Sequence, residues 1–132
     1  MIISANRFHG YNALRHVYGR GQTVRGPHIS LKYMLNNRRA TFRAAVVVSR
    51  KVHKSAVVRN RIRRRIYEII RLQQPKMAAN YDIVVTVFSE QLASLPAVEL
   101  QAMVVQQFEK AGIVSYHRAT QINAIVDAEE RS

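Results

Sequence analysis

The chain of 132 residues contains no cysteine and no tryptophan, and no Asp or Glu occurs before Glu68. The lack of cysteine excludes a disulfide framework and a zinc site made of thiolates, which suits a reducing compartment. Neither the N-terminal segment nor any later one has the long apolar run of a signal peptide or a membrane span. We therefore expect a cytoplasmic protein, and the length fits one domain with a real core.

Motifs typical of a catalytic protein are also missing. The eight acidic residues are spread thinly, and Asp82 opens a predicted strand, so we interpret it as a structural residue and not as part of a metal site. The five histidines lack metal-binding spacing, and the chain has no P-loop, G-x-G-x-x-G or G-x-S-x-G motif. We expect no catalytic side chain, no metal site and no cofactor in the protein itself. If the chain takes part in catalysis, the reactive groups belong to its partner.

Positive charge, in contrast, is abundant and unevenly distributed. The net charge is +13, and 16 of the 21 Lys and Arg residues lie within residues 1–67. Such a cationic half indicates a polyanionic partner. Composition alone leaves open whether that partner is nucleic acid, an anionic membrane surface or an acidic protein.

The densest cationic segment places five arginines within residues 59–65 and keeps the apolar spacing of an amphipathic helix. Ser55 is the predicted N-cap, and the helix should end before Pro75. At about 100° per residue, one stripe of this helix is apolar and can be buried. Its members are Val58, Ile62, Ile66 and Ile69.

The opposite face of this helix must stay in water or meet a partner, and it consists of Asn60, Arg64, Tyr67 and Arg71. Guanidinium groups suit phosphate because each fork can donate two parallel hydrogen bonds. A solvated face is the alternative interpretation. However, arginines four positions apart repel one another and Glu68 alone offsets them, so the pattern favours a surface that binds polyanions.

The rest of the pattern predicts an α/β fold. A helix is predicted at residues 11–20, with a loop or hairpin turn at 36–39. A last helix is predicted with Ser94 as its cap, Pro96 in its first turn and its end before Gly112. Strands are predicted at residues 28–34, 42–49 and 81–88. We expect the second strand to be central, because its run of alanine and valine suggests burial on both faces.

A strand, a long helix and another strand form a βαβ unit, so we expect a small mixed sheet of about four strands with helices packed against it. Residues 1–112 would form a single α/β domain, and residues 113–132 a C-terminal extension with weak periodicity.

The segment from Ser49 to Arg64, SRKVHKSAVVRNRIRR, closely resembles the protein subunit of bacterial ribonuclease P. The resemblance extends over about residues 7–111, and the Arg-Asn-Arg signature in a helix between two strands is specific. It implies a two-layer sandwich similar to ribosomal proteins. It also implies a left-handed crossover in the βαβ unit, against the usual right-handed rule.

In that family the RNA subunit performs hydrolysis with magnesium and removes the 5′ leader from precursor tRNA, while the protein assists. The resemblance therefore implies one accessory protein per catalytic RNA, with magnesium held mainly by the RNA and no membrane contact. Contact with the catalytic RNA is implied for Arg50, Lys51, Arg59, Asn60, Arg61, Arg63 and Arg64. The single-stranded leader would lie in a cleft between the first helix and the sheet, lined by Leu14, Tyr18, Ser30, Lys32 and Val48.

The chain departs from the family pattern at several positions. Leu14 stands where phenylalanine is common, Lys32 where an aromatic residue is frequent, and Tyr67 where arginine is frequent. Base stacking in the cleft would then be weaker and charge contact with the RNA backbone greater. For Leu14 and Tyr18, plain packing of a short helix is an equal alternative to leader contact.

The main alternative function is that of a structural RNA-binding protein, ribosomal or similar, with no role in processing. A DNA-binding helix-turn-helix is less favoured, because strands flank the arginine segment. Binding to a membrane surface is less favoured still, because the helix has no Trp or Phe beside its isoleucines.

Overall fold

The computed structural model describes residues 6–8 and 10–114, and this part of the chain contains three α-helices and four strands. In chain order they are α1 Tyr11–Arg20, β1 Gln22–Arg25, β2 Ile29–Leu35, β3 Arg43–Val48, α2 Ala56–Gln73, β4 Tyr81–Val87 and α3 Ala97–Ala111. Short 3-10 turns, Gln74–Lys76 and Glu90–Ala93, follow α2 and β4. Within the described residues, no helix is both long and apolar enough to span a bilayer.

The strands form one mixed sheet in the spatial order β1-β2-β4-β3. Strand β2 pairs antiparallel with β1 and with β4, whereas β3 pairs parallel with β4. Helix α2 connects the two parallel strands, so the predicted βαβ unit and the mixed sheet of about four strands are confirmed. The hand of this crossover stays a prediction.

The prediction of a central strand at residues 42–49 was wrong. Strand β3 lies at the edge of the sheet, and its burial alternates along the chain. Strand β4 is central, and its residues 82–85 are all buried. Both strands are rich in small or β-branched residues, so composition did not distinguish them. Because β4 lies between β2 and β3, the loop at 36–39 is a crossing connection and not a hairpin.

The four residues of β1 were not predicted as a strand. Three of them are exposed, and the segment lacks the alternation of apolar and polar residues that predicts a strand. β1 is a strand because it pairs with β2.

The main core lies between one face of the sheet and the helices α2 and α3. The predicted apolar stripe of α2 is buried at Ile62, Ile66 and Ile69, and Ile70 joins it. Each such side chain contributes about 1.5–3 kcal/mol when it leaves water. From α3, the buried residues include Leu100, Val104 and Phe108. This packing fixes α2 on the sheet and leaves its other face outward.

Helix α1 packs on the opposite face of the sheet, where Val17 and Val84 are fully buried. The predicted apolar pattern of α1 missed Val17, whereas Tyr18 from that pattern is 39% exposed. The chain turns from α1 into β1 at Gly21, whose N–H donates to the Val17 carbonyl at 2.7 Å. A Cβ at Gly21 would lie 2.5 Å from that oxygen, so the close approach requires glycine here.

The packed chain continues past the predicted domain boundary. Gly112 ends α3 in the left-handed conformation, as its position predicted. The predicted cap at Ser94 was wrong, because Pro96 caps α3 and the helix begins at Ala97. Ile113 and Val114 are buried, and the Ala78 N–H donates to the Ile113 carbonyl at 2.9 Å. Residues 113 and 114 therefore pack with the domain, the division of the chain stays a prediction, and residues 115–132 of the predicted extension lie outside the described residues.

Candidate nucleic-acid interface

Helix α2 begins at the predicted cap. The Ser55 hydroxyl accepts a hydrogen bond from the Val58 N–H at 3.4 Å. One Arg59 nitrogen donates to the carbonyls of His53 and Lys54, at 2.9 and 2.8 Å. Arg59 therefore holds the preceding loop, on which Arg50 and Lys51 are exposed.

Arg61 and Arg65 are held by the segment that follows β4. Arg61 Nε donates to the Ala93 carbonyl at 2.8 Å, and Arg65 donates to the carbonyls of Leu92 and Leu95. Hydrogen bonds from a charged donor are stronger than neutral ones. These two arginines thus attach α2 to the segment before α3, a structural role that the sequence did not reveal.

The two remaining arginines of the cluster, Arg63 and Arg64, differ in their side-chain hydrogen bonds. Arg63 donates to Asn60 Oδ1 at 2.5 Å and to the Val48 carbonyl at 3.1 Å. Arg64 is exposed, and its guanidinium donates no hydrogen bond to any residue in the described part of the chain. Its five N–H donors are therefore available to a ligand.

The outward side of α2 forms a shallow concavity of about 470 Å³ that extends to the N-terminal segment. We call it the arginine face; it is lined by Arg7, Val57, Asn60, Arg63, Arg64 and Tyr67. No carboxylate belongs to this lining. Further along α2, the hydrogen bond from Arg71 is the largest cause of a lowered pKa at Glu68, so this carboxylate is ionised at neutral pH and offsets the charge of Arg71.

Tyr67 links the arginine face to the edge of the sheet. Its hydroxyl accepts a hydrogen bond from the Val46 N–H of β3 at 3.1 Å, and the Arg7 guanidinium lies 5.2 Å from its ring centroid. Arg7 also bridges to Ala44 on the same edge. The tyrosine therefore satisfies a backbone donor on an edge strand and positions a cation that sequence analysis had not assigned to RNA contact.

Replacing Tyr67 with phenylalanine should lower the free energy of unfolding by about 1 kcal/mol, because the Val46 N–H loses its partner. The aromatic ring that contacts the Arg7 guanidinium remains, so affinity for RNA should not change. Urea denaturation and an RNA titration of the same variant check both expectations. Equal stability of the variant and the original chain would mean that this hydrogen bond contributes nothing.

The second candidate surface is a groove of about 380 Å³ between the end of α1 and the sheet. It is lined by Tyr18, Thr23, Arg25, Gly26, Ser30, Lys32, Thr86 and Phe88. Lys32 Nζ donates to the Tyr18 carbonyl at 2.7 Å and lies 5.9 Å from the Tyr18 ring centroid. This ammonium sits where the helix dipole is negative, so it stabilises the end of α1.

Both the sequence and the fold of this chain match those of known proteins. A family model described as Ribonuclease P matches residues 4–112. The chain belongs to the ribonuclease P family. Membership gives it the role of a protein subunit in the 5′ processing of tRNA, and the alternative of an RNA-binding protein without a processing role is not favoured.

Individual relatives support this assignment. The ribonuclease P protein component of Roseiflexus castenholzii is 42% identical over 84 residues, which cover 61% of this chain and 68% of the relative. That of Chloroflexus aurantiacus is 40% identical over 87 residues, covering 66% of this chain and 63% of the relative. The chain therefore spans about two thirds of the length of these relatives.

Solved structures show that the fold is shared. The RNase P protein of Staphylococcus aureus superposes with a TM-score of 0.74 at 21% identity, covering 83% of this chain and 98% of that protein. The RNase P protein of Thermotoga maritima gives a TM-score of 0.66 at 20% identity, covering 74% and 89%.

The structure brings together only part of the cleft predicted from the ribonuclease P resemblance. Tyr18, Ser30 and Lys32 line the groove, whereas Leu14 is half-buried and is not among the residues of that lining. Val48 was wrongly assigned to the cleft. It is 3% exposed and belongs to the main core, on the opposite face of the sheet. Side chains alternate along a strand, so the neighbouring Val47, and not Val48, lies on the face of the sheet that carries the groove.

Asp82 is the buried partner of Arg43 in this member of the ribonuclease P family, which fits its interpretation as a structural residue. It accepts hydrogen bonds from Arg43 at 2.9 and 2.7 Å and from Asn36 at 2.9 Å. The hydrogen bonds with Asp82 raise the pKa of the Arg43 guanidinium above its ordinary value. Among residues 6–8 and 10–114, no three His, Asp or Glu side chains come together in a way that would hold a metal ion.

Proposed function

We propose that the chain assists a catalytic RNA in removing the 5′ leader from precursor tRNA, in the cytoplasm and with one protein per RNA. The catalytic RNA binds the arginine face together with Arg50 and Lys51, and the leader enters the groove beside α1. The observation that carries this proposal is an exposed concavity with three arginines and no carboxylate. Such a surface fits the phosphate backbone of RNA.

The physical contribution of the protein is electrostatic. A catalytic RNA and a precursor tRNA repel each other, and a cationic protein between them lowers this repulsion by releasing counterions. Hydrolysis is assigned to the RNA, which holds most of the magnesium. The protein raises substrate affinity and transfers no proton itself.

Reconstitution with the matching catalytic RNA tests the proposed function. Cleavage of precursor tRNA should need less magnesium with the protein than without it. Hydrolysis by the protein alone would contradict the proposal. Binding to the RNA without any effect on cleavage would instead support an RNA-binding role outside processing.

Arg64→Ala should weaken binding to the catalytic RNA about tenfold, the loss expected for one charged hydrogen-bonding contact. Its thermal stability should not change, because the Arg64 side chain makes no hydrogen bond within the described residues. A gel-shift titration and a thermal melt measure the two quantities.

Arg65→Ala is the matched control for Arg64→Ala, because it removes an arginine whose nitrogens donate to the carbonyls of Leu92 and Leu95. This variant should lose about 2 kcal/mol of stability and retain most of its RNA affinity. The reverse pattern, with Arg64 stabilising the fold and Arg65 binding RNA, would overturn the assignment of the two side chains.

A further inference from the structure

Phe88 is an exposed aromatic residue in a fixed position. Phe88 directly follows β4 and is 56% exposed. Its backbone N–H donates to the His28 carbonyl at 2.8 Å. The sheet therefore holds the backbone of Phe88 while the ring stays accessible. Single exposed aromatic residues are common, but Phe88 shares its groove with Tyr18, which is 39% exposed.

The polar groups of the same groove suit a nucleotide. Three hydroxyl residues, Thr23, Ser30 and Thr86, line it, and each can both donate and accept a hydrogen bond. No acidic residue belongs to the lining. The volume of about 380 Å³ lies within the range of about 300–1,000 Å³ found for small-ligand sites.

The two cations of the groove have different tasks. Lys32 is engaged with the Tyr18 carbonyl at the end of α1. Arg25 is exposed, and its guanidinium donates no hydrogen bond to the described residues. Arg25 is therefore the cation that can meet a phosphate, and it lies on β1 directly opposite Ser30.

We propose that the groove holds one unpaired nucleotide of the leader, with its base stacked on Phe88 and its phosphate bound by Arg25. This inference rests on the proposed function and extends the leader path beyond Tyr18, Ser30 and Lys32 to the end of β4. The nucleotide must be unpaired, because a base within a duplex has no free face for an aromatic ring. Phe88 supplies the aromatic surface on which this base stacks.

The test uses the protein reconstituted with its catalytic RNA and measures affinity for precursor tRNA and for mature tRNA. Phe88→Ala should weaken binding of precursor tRNA by about 5- to 150-fold, the range for loss of one base–aromatic stack. Binding of mature tRNA should not change. Phe88→Trp should restore the affinity, and Val98→Ala, which shortens an 81% exposed aliphatic side chain on α3, is the matched control.

Single abasic positions in the leader identify the stacked base. One position should weaken binding to the original protein and have no further effect on Phe88→Ala. If no such position exists, or if Phe88→Ala affects mature tRNA equally, the inference is overturned. A loss of affinity for the catalytic RNA alone would place the groove against that RNA and would also overturn it.

The same measurements separate this inference from the proposed function. If the original protein does not favour precursor tRNA over mature tRNA, the proposed leader binding itself fails. If it does favour precursor tRNA and Phe88→Ala behaves identically, only the role of Phe88 fails.

Discussion

The affinity of the chain for its catalytic RNA is expected to fall by about three to five decades between 50 and 200 mM salt, if roughly 6 to 10 phosphates are contacted. The cationic residues in and around the proposed RNA-binding surface are Arg7, Arg50, Lys51, Arg59, Arg61, Arg63, Arg64 and Arg65. Arg59, Arg61 and Arg65 bind backbone carbonyls, yet they keep their full charge. Counterion release depends on charge near the phosphates, so these three arginines still contribute to the salt dependence.

Filter-binding titrations at several salt concentrations measure this dependence as the slope of log affinity against log salt. Arg64→Ala should make the slope shallower by about one, because one phosphate contact is lost. Val98→Ala should leave the slope unchanged, since the substitution alters no charge. An affinity that does not respond to salt would show that the RNA is not bound through its phosphates.

Helix α2 could be predicted in detail because its signals are local. The cap at Ser55, the isoleucine stripe and the stop before Pro75 all lie within the segment itself, and all are confirmed. The partners of the arginines are not local. Arg61 and Arg65 meet carbonyls of residues 92–95, and this proximity arises only when α2 packs beside the segment that follows β4. Sequence spacing therefore predicted a cationic helix, but not which cations remain free.

The sheet shows a similar limit. The βαβ unit was predicted because each of its elements is recognisable alone, whereas the spatial order of strands depends on pairing between distant segments. The error at Val48 has a related cause. Neighbouring residues of a strand point to opposite faces of the sheet, so an error of one residue moves a side chain from the groove to the core. A resemblance between two sequences at one position therefore does not show which face its side chain lies on. Phe88 and Arg25 were not predicted as site residues, because only the folded sheet brings them into one groove.

Asp82→Asn should lower the free energy of unfolding by about 3 kcal/mol and the melting temperature by roughly 10 °C. The substitution retains the shape of the side chain but leaves the Arg43 charge without its partner. Asp82 is 3% exposed and Arg43 is 16% exposed at their side chains, so water compensates only partly. The expected loss therefore lies at the lower end of the range of about 3–5 kcal/mol for breaking a buried ion pair.

Glu68→Gln is the matched control for Asp82→Asn, because it removes the carboxylate of an ion pair whose side chains are both 43% exposed. Its melting temperature should stay within error of the original chain, since exposed pairs contribute little. At a temperature where Asp82→Asn remains folded, the reconstituted enzyme should cleave precursor tRNA at the original rate. A folded Asp82→Asn protein that fails to support cleavage would make this carboxylate a functional group and would contradict its assignment as a structural partner of Arg43.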